Sequence, residues 1–240
     1  MSLELYYASA PRGLKPGSRG FCTVARSDGM QAPVVERLES LSNYEPLFAQ
    51  GPAAEQNPVA WSHWRIPVGT RSRSVLSRVA FVQADYTGRP GKFAHHVLLE
   101  TSEQHPAGPA WVIRQPGVMR EAWVEEPRLL QARAITAPAA QQTDDPPDWS
   151  RALADAFLTD AARPAYVIYR PGADLLGGLH DALAMLPPQA RWQVTFNTYY
   201  TELPAGLACA WRLVVADTPA GRTAARSAGK ALVLDLTGET

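Results

Sequence analysis

Apolar and polar positions along the chain predict a mixture of strands and helices. Residues 3–8 and 21–26 read as strands, with a Gly- and Pro-rich loop between them. Pro33 then opens a helical pattern that puts Val34, Val35, Leu38 and Leu41 on one face. Residues 49–58 are polar loop, and residues 59–68 alternate as a strand despite Pro67. Residues 74–84 are rich in β-formers, and residues 95–100 form a further strand. The order strand-strand-helix-strand-strand-strand predicts an antiparallel sheet with one helix packed on it.

Residues 110–130 give a weaker pattern, a short strand followed by helix or loop. Residues 132–148 are mostly Ala, Pro, Gln and Asp, the composition of a linker or long surface excursion. They divide the chain into an N-terminal α+β domain at 1–131 and a second, smaller α+β domain at 149–240. In the second, residues 149–160 and 173–186 have helical spacing, and Pro187-Pro188 stops the latter helix. Strands are expected at 166–169, 192–198, 207–216 and 231–236.

Composition narrows the function classes. With 46% hydrophobic and 19% charged residues in a 240-residue chain, a packed core is expected. The apolar runs fall well short of the roughly 20 residues of a membrane span, and the first residues lack the pattern of a signal peptide. Two distant cysteines, Cys22 and Cys209, suit a reducing cytoplasm better than a disulfide scaffold. A net charge of zero argues against a nucleic-acid coat. Residues 1–93 carry 11 basic against 7 acidic side chains, and residues 94–148 carry 4 against 8. Those two segments either pair within one fold or present separate charged surfaces.

Chemically active side chains concentrate in two loops. One is Asp85-Tyr86-Thr87-Gly88-Arg89-Pro90-Gly91-Lys92-Phe93-Ala94-His95-His96. The other is Pro11-Arg12-Gly13-Leu14-Lys15-Pro16-Gly17-Ser18-Arg19-Gly20. The Gly91-Lys92 pair does not complete a phosphate loop. Tyr86 stands where that loop needs its first glycine, and Phe93 stands where it needs a magnesium-binding hydroxyl. Dinucleotide, hydrolase-elbow and zinc signatures are absent.

Three readings of these loops remain open, the plainest being two solvated turns. If they share one end of the sheet, Arg12, Lys15, Arg19, Arg89 and Lys92, with Asp85, Tyr86, His95 and His96, form a surface for an anion or an acidic protein partner. Alternatively, Cys22 with His95 or His96 is a hydrolase's nucleophile and base, or the histidines join Asp85 or His63 around a metal. Adjacent histidines on a strand face opposite ways, so one is expected inside and hydrogen-bonded, the other outside. Trp61, Trp64, Trp111 and Trp123 serve either core or interface, and Asn197 suits a turn.

Several blocks occur in order: Tyr6-Tyr7-Ala8-Ser9-Ala10-Pro11-Arg12-Gly13-Leu14, Gly20-Phe21-Cys22-Thr23-Val24-Ala25, Val75-Leu76-Ser77-Arg78, and Asp85-Tyr86-Thr87-Gly88-Arg89 with Ala94-His95-His96. Together they resemble the type-two N-terminal domain of the bacterial GTPase-associated protein one family. Trp192-Gln193-Val194-Thr195-Phe196-Asn197-Thr198 and Cys209-Ala210-Trp211-Arg212 are similar to that family's middle domain. Pro90-Gly91 stands where the family pattern has Asn. The resemblance implies a cytoplasmic adaptor or regulator encoded beside GTPases in bacterial conflict or immunity systems, with a GTPase or another protein of that system as partner. It carries over no catalytic residue and no cofactor, and full members extend past position 240. The element order is also that of longin-like domains, several of which work with small GTPases, an analogy of fold alone.

Overall fold

In a computed structural model of the chain, residues 1–49, 52–82, 84–140 and 145–238 are described. Parts of the expected 49–58 loop, the 74–84 strand and the 132–148 linker (positions 50–51, 83 and 141–144) lie outside those residues.

The first half follows the expected order. Strands β1 (Leu3–Ala10) and β2 (Gly20–Ser27) precede helix α1 (Ala32–Ser40). Strands β3 (Ala60–Val68), β4 (Arg71–Val82) and β5 (Gly91–Leu99) follow. All these strands pair antiparallel, in the order β3-β4-β5-β1-β2. Helix α1 starts with Pro33 in its first turn and buries Val34 and Leu38, as the spacing predicts. Strand β5 begins at Gly91, four residues before the expected start, because Gly91 already pairs with Val82.

The weakly patterned stretch resolves into helix α2 (Pro109–Arg114), irregular chain and the short edge strand β6 (Arg128–Leu130), parallel to β2. The described part of the expected linker is fastened down. Ser2 and Arg133 exchange backbone hydrogen bonds, the Glu103 carboxylate accepts from the Ile135 N–H, and the Trp111 indole donates to the Pro138 carbonyl.

Beyond it come α3 (Asp148–Thr159), β7 (Ala165–Tyr169), α4 (Leu175–Ala184), α5 (Pro188–Arg191), β8 (Phe196–Asn197), β9 (Trp211–Val215), α6 (Pro219–Ala225) and β10 (Leu232–Asp235). The apolar run 192–198 yields only a two-residue strand. Its first part is bent by hydrogen bonds from Gln193 N to Ala190 O and from Trp192 Nε1 to His105 O. Proline 188 does more than stop α4: it opens α5, since a first-turn position needs no N–H. Strands β7 to β10 are mutually parallel, and β8 pairs antiparallel with β3 through Ser62↔Asn197 and His63↔Phe196. One ten-stranded mixed sheet therefore runs through the α+β chain in the order β10-β7-β9-β8-β3-β4-β5-β1-β2-β6.

Both faces of this sheet are covered. Helices α2, α3 and α4 pack on one face, with Val112, Leu153, Leu179 and Leu183 against Leu76, Val97, Val167 and Leu213. On the other face α1 and α6 bring Val34, Leu38 and Ala224 against Leu5, Ile66, Val75, Leu98 and Val214. Contact between α3 and α4 is closest at Gly178, where an added Cβ would lie 1.9 Å from Trp149 Cζ2. A ring cannot yield as a flexible chain end can. Replacing Gly178 with Ala should therefore lower unfolding free energy by about 1–3 kcal/mol, the usual cost of overpacking. Denaturant melts of G178A, and of G178A combined with W149F, should show the loss and its partial recovery. Equal stability of G178A and the parent would contradict this packing.

Candidate functional site

Strand directions fix where the two singled-out loops stand. Strand β1 runs antiparallel to β5 with Ala8 opposite Phe93, and β4 runs antiparallel to β5 with Val82 opposite Gly91. The β1–β2 loop and the β4–β5 loop therefore leave the same end of the sheet. A side-chain hydrogen bond fastens the second loop to the end of β1: Ser9 Oγ donates to Asp85 Oδ2 at 2.6 Å.

Asp85 organises its own turn. Its Oδ1 accepts from Thr87 N (2.7 Å), Thr87 Oγ1 (2.6 Å) and Arg89 N (3.1 Å). The hydrogen bond from Ser9, then those from Thr87 and Arg89, hold this carboxyl well below the usual carboxylate range. It is a turn-former and anchor, with no lone pair turned to an acid–base partner among the described contacts. The first loop is closed by bonds from Gly13 N to Ser18 O and from Leu14 N to Thr23 O. Gly13 is required there, because a Cβ would sit 2.4 Å from Ser18 Oγ and 2.6 Å from Cys22 Sγ.

The cations of the two loops divide. Arg12 pairs with Glu126 across exposed surface, an interaction worth little to stability. Lys15, Arg19 and Arg89 are exposed and have no ion pair among the described residues, and Tyr86 is half exposed beside them. Lys92 turns onto the α1 face, with Nζ 5.1 Å from the Phe21 ring centroid and 5.9 Å from that of Tyr7. Burial lowers its pKa.

The histidines lie elsewhere, in the middle of the sheet. They face opposite sides as strand geometry requires, but both are fully buried, because both faces are covered. The expectation that one points outward is thus corrected. His95 Nδ1 accepts from Arg120 N (2.9 Å), so its proton sits on Nε2 and is donated to Glu4 Oε1 (3.0 Å). Ser42 donates to the Leu38 carbonyl, so it accepts from His96 Nε2 (2.9 Å), while Ser77 donates to His96 Nδ1 (2.7 Å). His63 donates from Nδ1 to the Val194 carbonyl (2.6 Å) and accepts from Ser74 (3.0 Å). All three imidazoles are neutral, and both nitrogens of each are engaged.

The thiol–imidazole arrangement does not form. Cys22 is opposite Ala8, and Ala8 is opposite Phe93, two residues from His95. That puts Cys22 and His95 about 12 Å apart by strand spacing and rise. The Cys22 thiol donates to the Gly20 carbonyl and burial pushes its pKa up, opposite to the shift that activates a nucleophile. Among the described residues no three His, Cys, Asp or Glu side chains gather as metal ligands would.

One feature escaped sequence reasoning. At the same end of the sheet, a cleft of about 500 Å³ lies between residues 55–59 and the turn 171–176, floored by Trp61, Tyr169 and Thr198. It draws on both halves of the chain, and none of the residues singled out in the two loops lines it. Of its floor, only Trp61 was marked by the sequence, as a core or interface aromatic. Asn197 forms the expected turn, accepting from Tyr199 N at 2.9 Å.

The buried polar groups predict a pH dependence. Burial lowers the pKa of His63 to about 4 and of His96 to about 3 from an ordinary 6.5. Burial alone would raise Glu4, but hydrogen bonds from His95 and Arg133 outweigh it and lower its pKa to about 2 from 4.5. For each group the unfolded chain takes up protons first as pH falls. The histidine contribution is complete above pH 6.5 and is lost toward pH 4 and 3, at up to about 1.4 kcal/mol per pH unit for each histidine. The Glu4 contribution is lost from pH 4.5 toward 2. Thermal unfolding between pH 7.5 and 4 should show Tm falling with pH, with a shallower fall in H96Q. A flat profile would contradict the neutral buried state.

Comparison with known proteins gives two family matches that meet at residue 135. Residues 1–135 match GTPase-associated protein 1, N-terminal domain type 2, and residues 135–238 match GTPase-associated protein 1, middle domain. No curated protein and no solved structure matches it. The two family matches cover nearly the whole chain in the order expected from the residue blocks, and the protein belongs to the GTPase-associated protein 1 family.

Proposed function

We propose that this chain is a non-enzymatic adaptor or regulator in a bacterial GTPase-linked conflict or immunity system, working in the cytoplasm. It binds its partner, a GTPase or another protein of that system, through the basic loops at one end of the sheet. Family membership supports the link to a GTPase. The observation that carries the reading is the strand register that brings both loops to one end of the sheet, where exposed Lys15, Arg19 and Arg89 support a shared binding surface. The engaged imidazoles and raised Cys22 pKa weigh against the alternative hydrolase. No helix among the described residues is long and apolar enough to cross a membrane.

The division into 1–131, a linker at 132–148 and 149–240 remains part of this proposal, with the first unit longin-like. The sheet order β3-β4-β5-β1-β2, with α1 between β2 and β3, supports that likeness. In the second unit, the parallel strands β7 to β10 support a separate evolutionary piece joined edge to edge.

The test is capture of the GTPase encoded beside this chain, loaded with GDP or with a non-hydrolysable GTP analogue. Binding is expected in one nucleotide state at least. It should weaken about tenfold or more in R19E/R89E, as hot-spot changes do, with an unaltered melting curve. Failure to bind in either state would overturn the proposal.

A further inference from the structure

Above the end of α1 the sheet carries a patch that no helix covers. On this face Phe21 stands opposite Ser9, and Lys92 stands opposite Phe81. The pairing of Ala8 with Phe93 sets Ser9 next to Lys92 in register. One row across β2, β1, β5 and β4 therefore reads Phe21, Ser9, Lys92, Phe81, with Tyr7 in the row beneath. Helix α1 covers the lower rows through Val34, Leu38 and Leu41, and the chain leaves it just before Asn43.

Lys92 is held in an unusual way for a surface lysine. Its ammonium lies over the Phe21 and Tyr7 rings, and its hydrogen bond is a long one to Asn43 Oδ1, at 3.5 Å. It has no carboxylate partner among the described residues. The Asp85 carboxylate is held by its own turn and Ser9, and Glu39 accepts from Thr23. Phe21 is 50% exposed with the Lys92 ammonium over its ring, so aromatic surface and a cation without a carboxylate partner lie together.

We infer that Tyr7, Phe21 and Lys92 form the anchor of the docking surface, and that its occupant is an acidic segment of a partner protein. A carboxylate of that segment would meet the Lys92 ammonium, and an apolar neighbour would cover the Phe21 ring. Lys15, Arg19 and Arg89 would add longer-range attraction around it. Charge complementarity selects the sign of the partner. Exposed aromatic surface selects a protein over a free anion, because phosphate satisfies the ammonium and leaves Phe21 wet. A few central side chains, tyrosine among the favoured, carry most of the binding energy of an interface. This inference rests on the proposed adaptor role and names the chemistry of its partner.

The probe is a synthetic peptide of Glu, Asp, Leu and Phe, with inorganic phosphate and a Lys-for-acid version of the peptide as comparisons. Amide chemical shifts of the full chain are followed during titration. The acidic peptide should move the signals of residues 7–9, 21 and 92, and salt should weaken it. Affinity should fall about tenfold or more in F21S and in K92M, whose side chains keep the fold intact because one is exposed and the other retains its stem. Shifts centred on the Trp61–Tyr169 cleft, equal binding by the Lys version, the same response to phosphate alone, or undiminished binding by both variants would each overturn the inference. A GTPase captured equally well by F21S and K92M would sink the anchor and leave the adaptor role standing. An acidic peptide that binds as predicted while no GTPase is captured would do the reverse.

Discussion

A sheet with helices against both faces excludes water from its middle strands, and that exclusion decides what every polar side chain there can do. A buried charge or an unmade hydrogen bond costs more than most single contacts return. The middle strands carry Glu4, Ser77, His63, His95 and His96, and each is hydrogen-bonded in a fixed tautomer or ion pair. Arg78 departs from this rule: it is buried, stacks at 5.4 Å on Trp61, and among the described residues Nε and Nη1 find no hydrogen-bond partner. Cation–π attraction offsets part of its desolvation, and burial lowers its pKa. Among the described residues of the middle strands, Glu4, His63, His95 and His96 thus act as structural polar groups.

At one end of the sheet the strand directions gather the loops. The carboxyl ends of β1, β4, β7, β8, β9 and β10 meet the starts of β2, β3 and β5 there, as the pairings require. The helix after β7 packs on one face and that after β9 on the other, the arrangement that opens a crevice at the carboxyl ends of parallel strands. The cationic loops and the cleft near Trp61 are therefore neighbours on one side of the molecule. Their chemistry differs: the loops offer unpaired cations, while the cleft is lined by Glu55 and Asp174 without a lysine or arginine.

Much of this was legible in the residues. The β-rich runs, the Pro33-led helix and the Gly-rich turns follow from local preferences, and local preferences held. The residues leave open whether 11–20 and 85–92 share one end of the sheet; the pairings of β5 with β1 and β4 bring them there. What stayed hidden depends on long-range contact. Nothing near His96 signals that Ser42 will cap it, and a run such as 192–198 looks like a strand until Trp192 turns to His105. The parallel strands of the second half were readable singly, but their junction to β3 rests on two residue pairs. Phe21 reads as core in a strand pattern. Its exposure comes from α1 ending short of the top of the sheet.

Membership of the GTPase-associated protein 1 family links the chain to GTPases, and the proposed role is one of contact through these loops. Hydrogen exchange of the full chain, with and without the proposed GTPase partner, tests that most directly. Joint protection of residues 11–20 and 84–92, rising together with a single dependence on GTPase concentration, is the predicted result. Protection confined to 55–61 and 171–176, or changes in only one of the two loops, would contradict it.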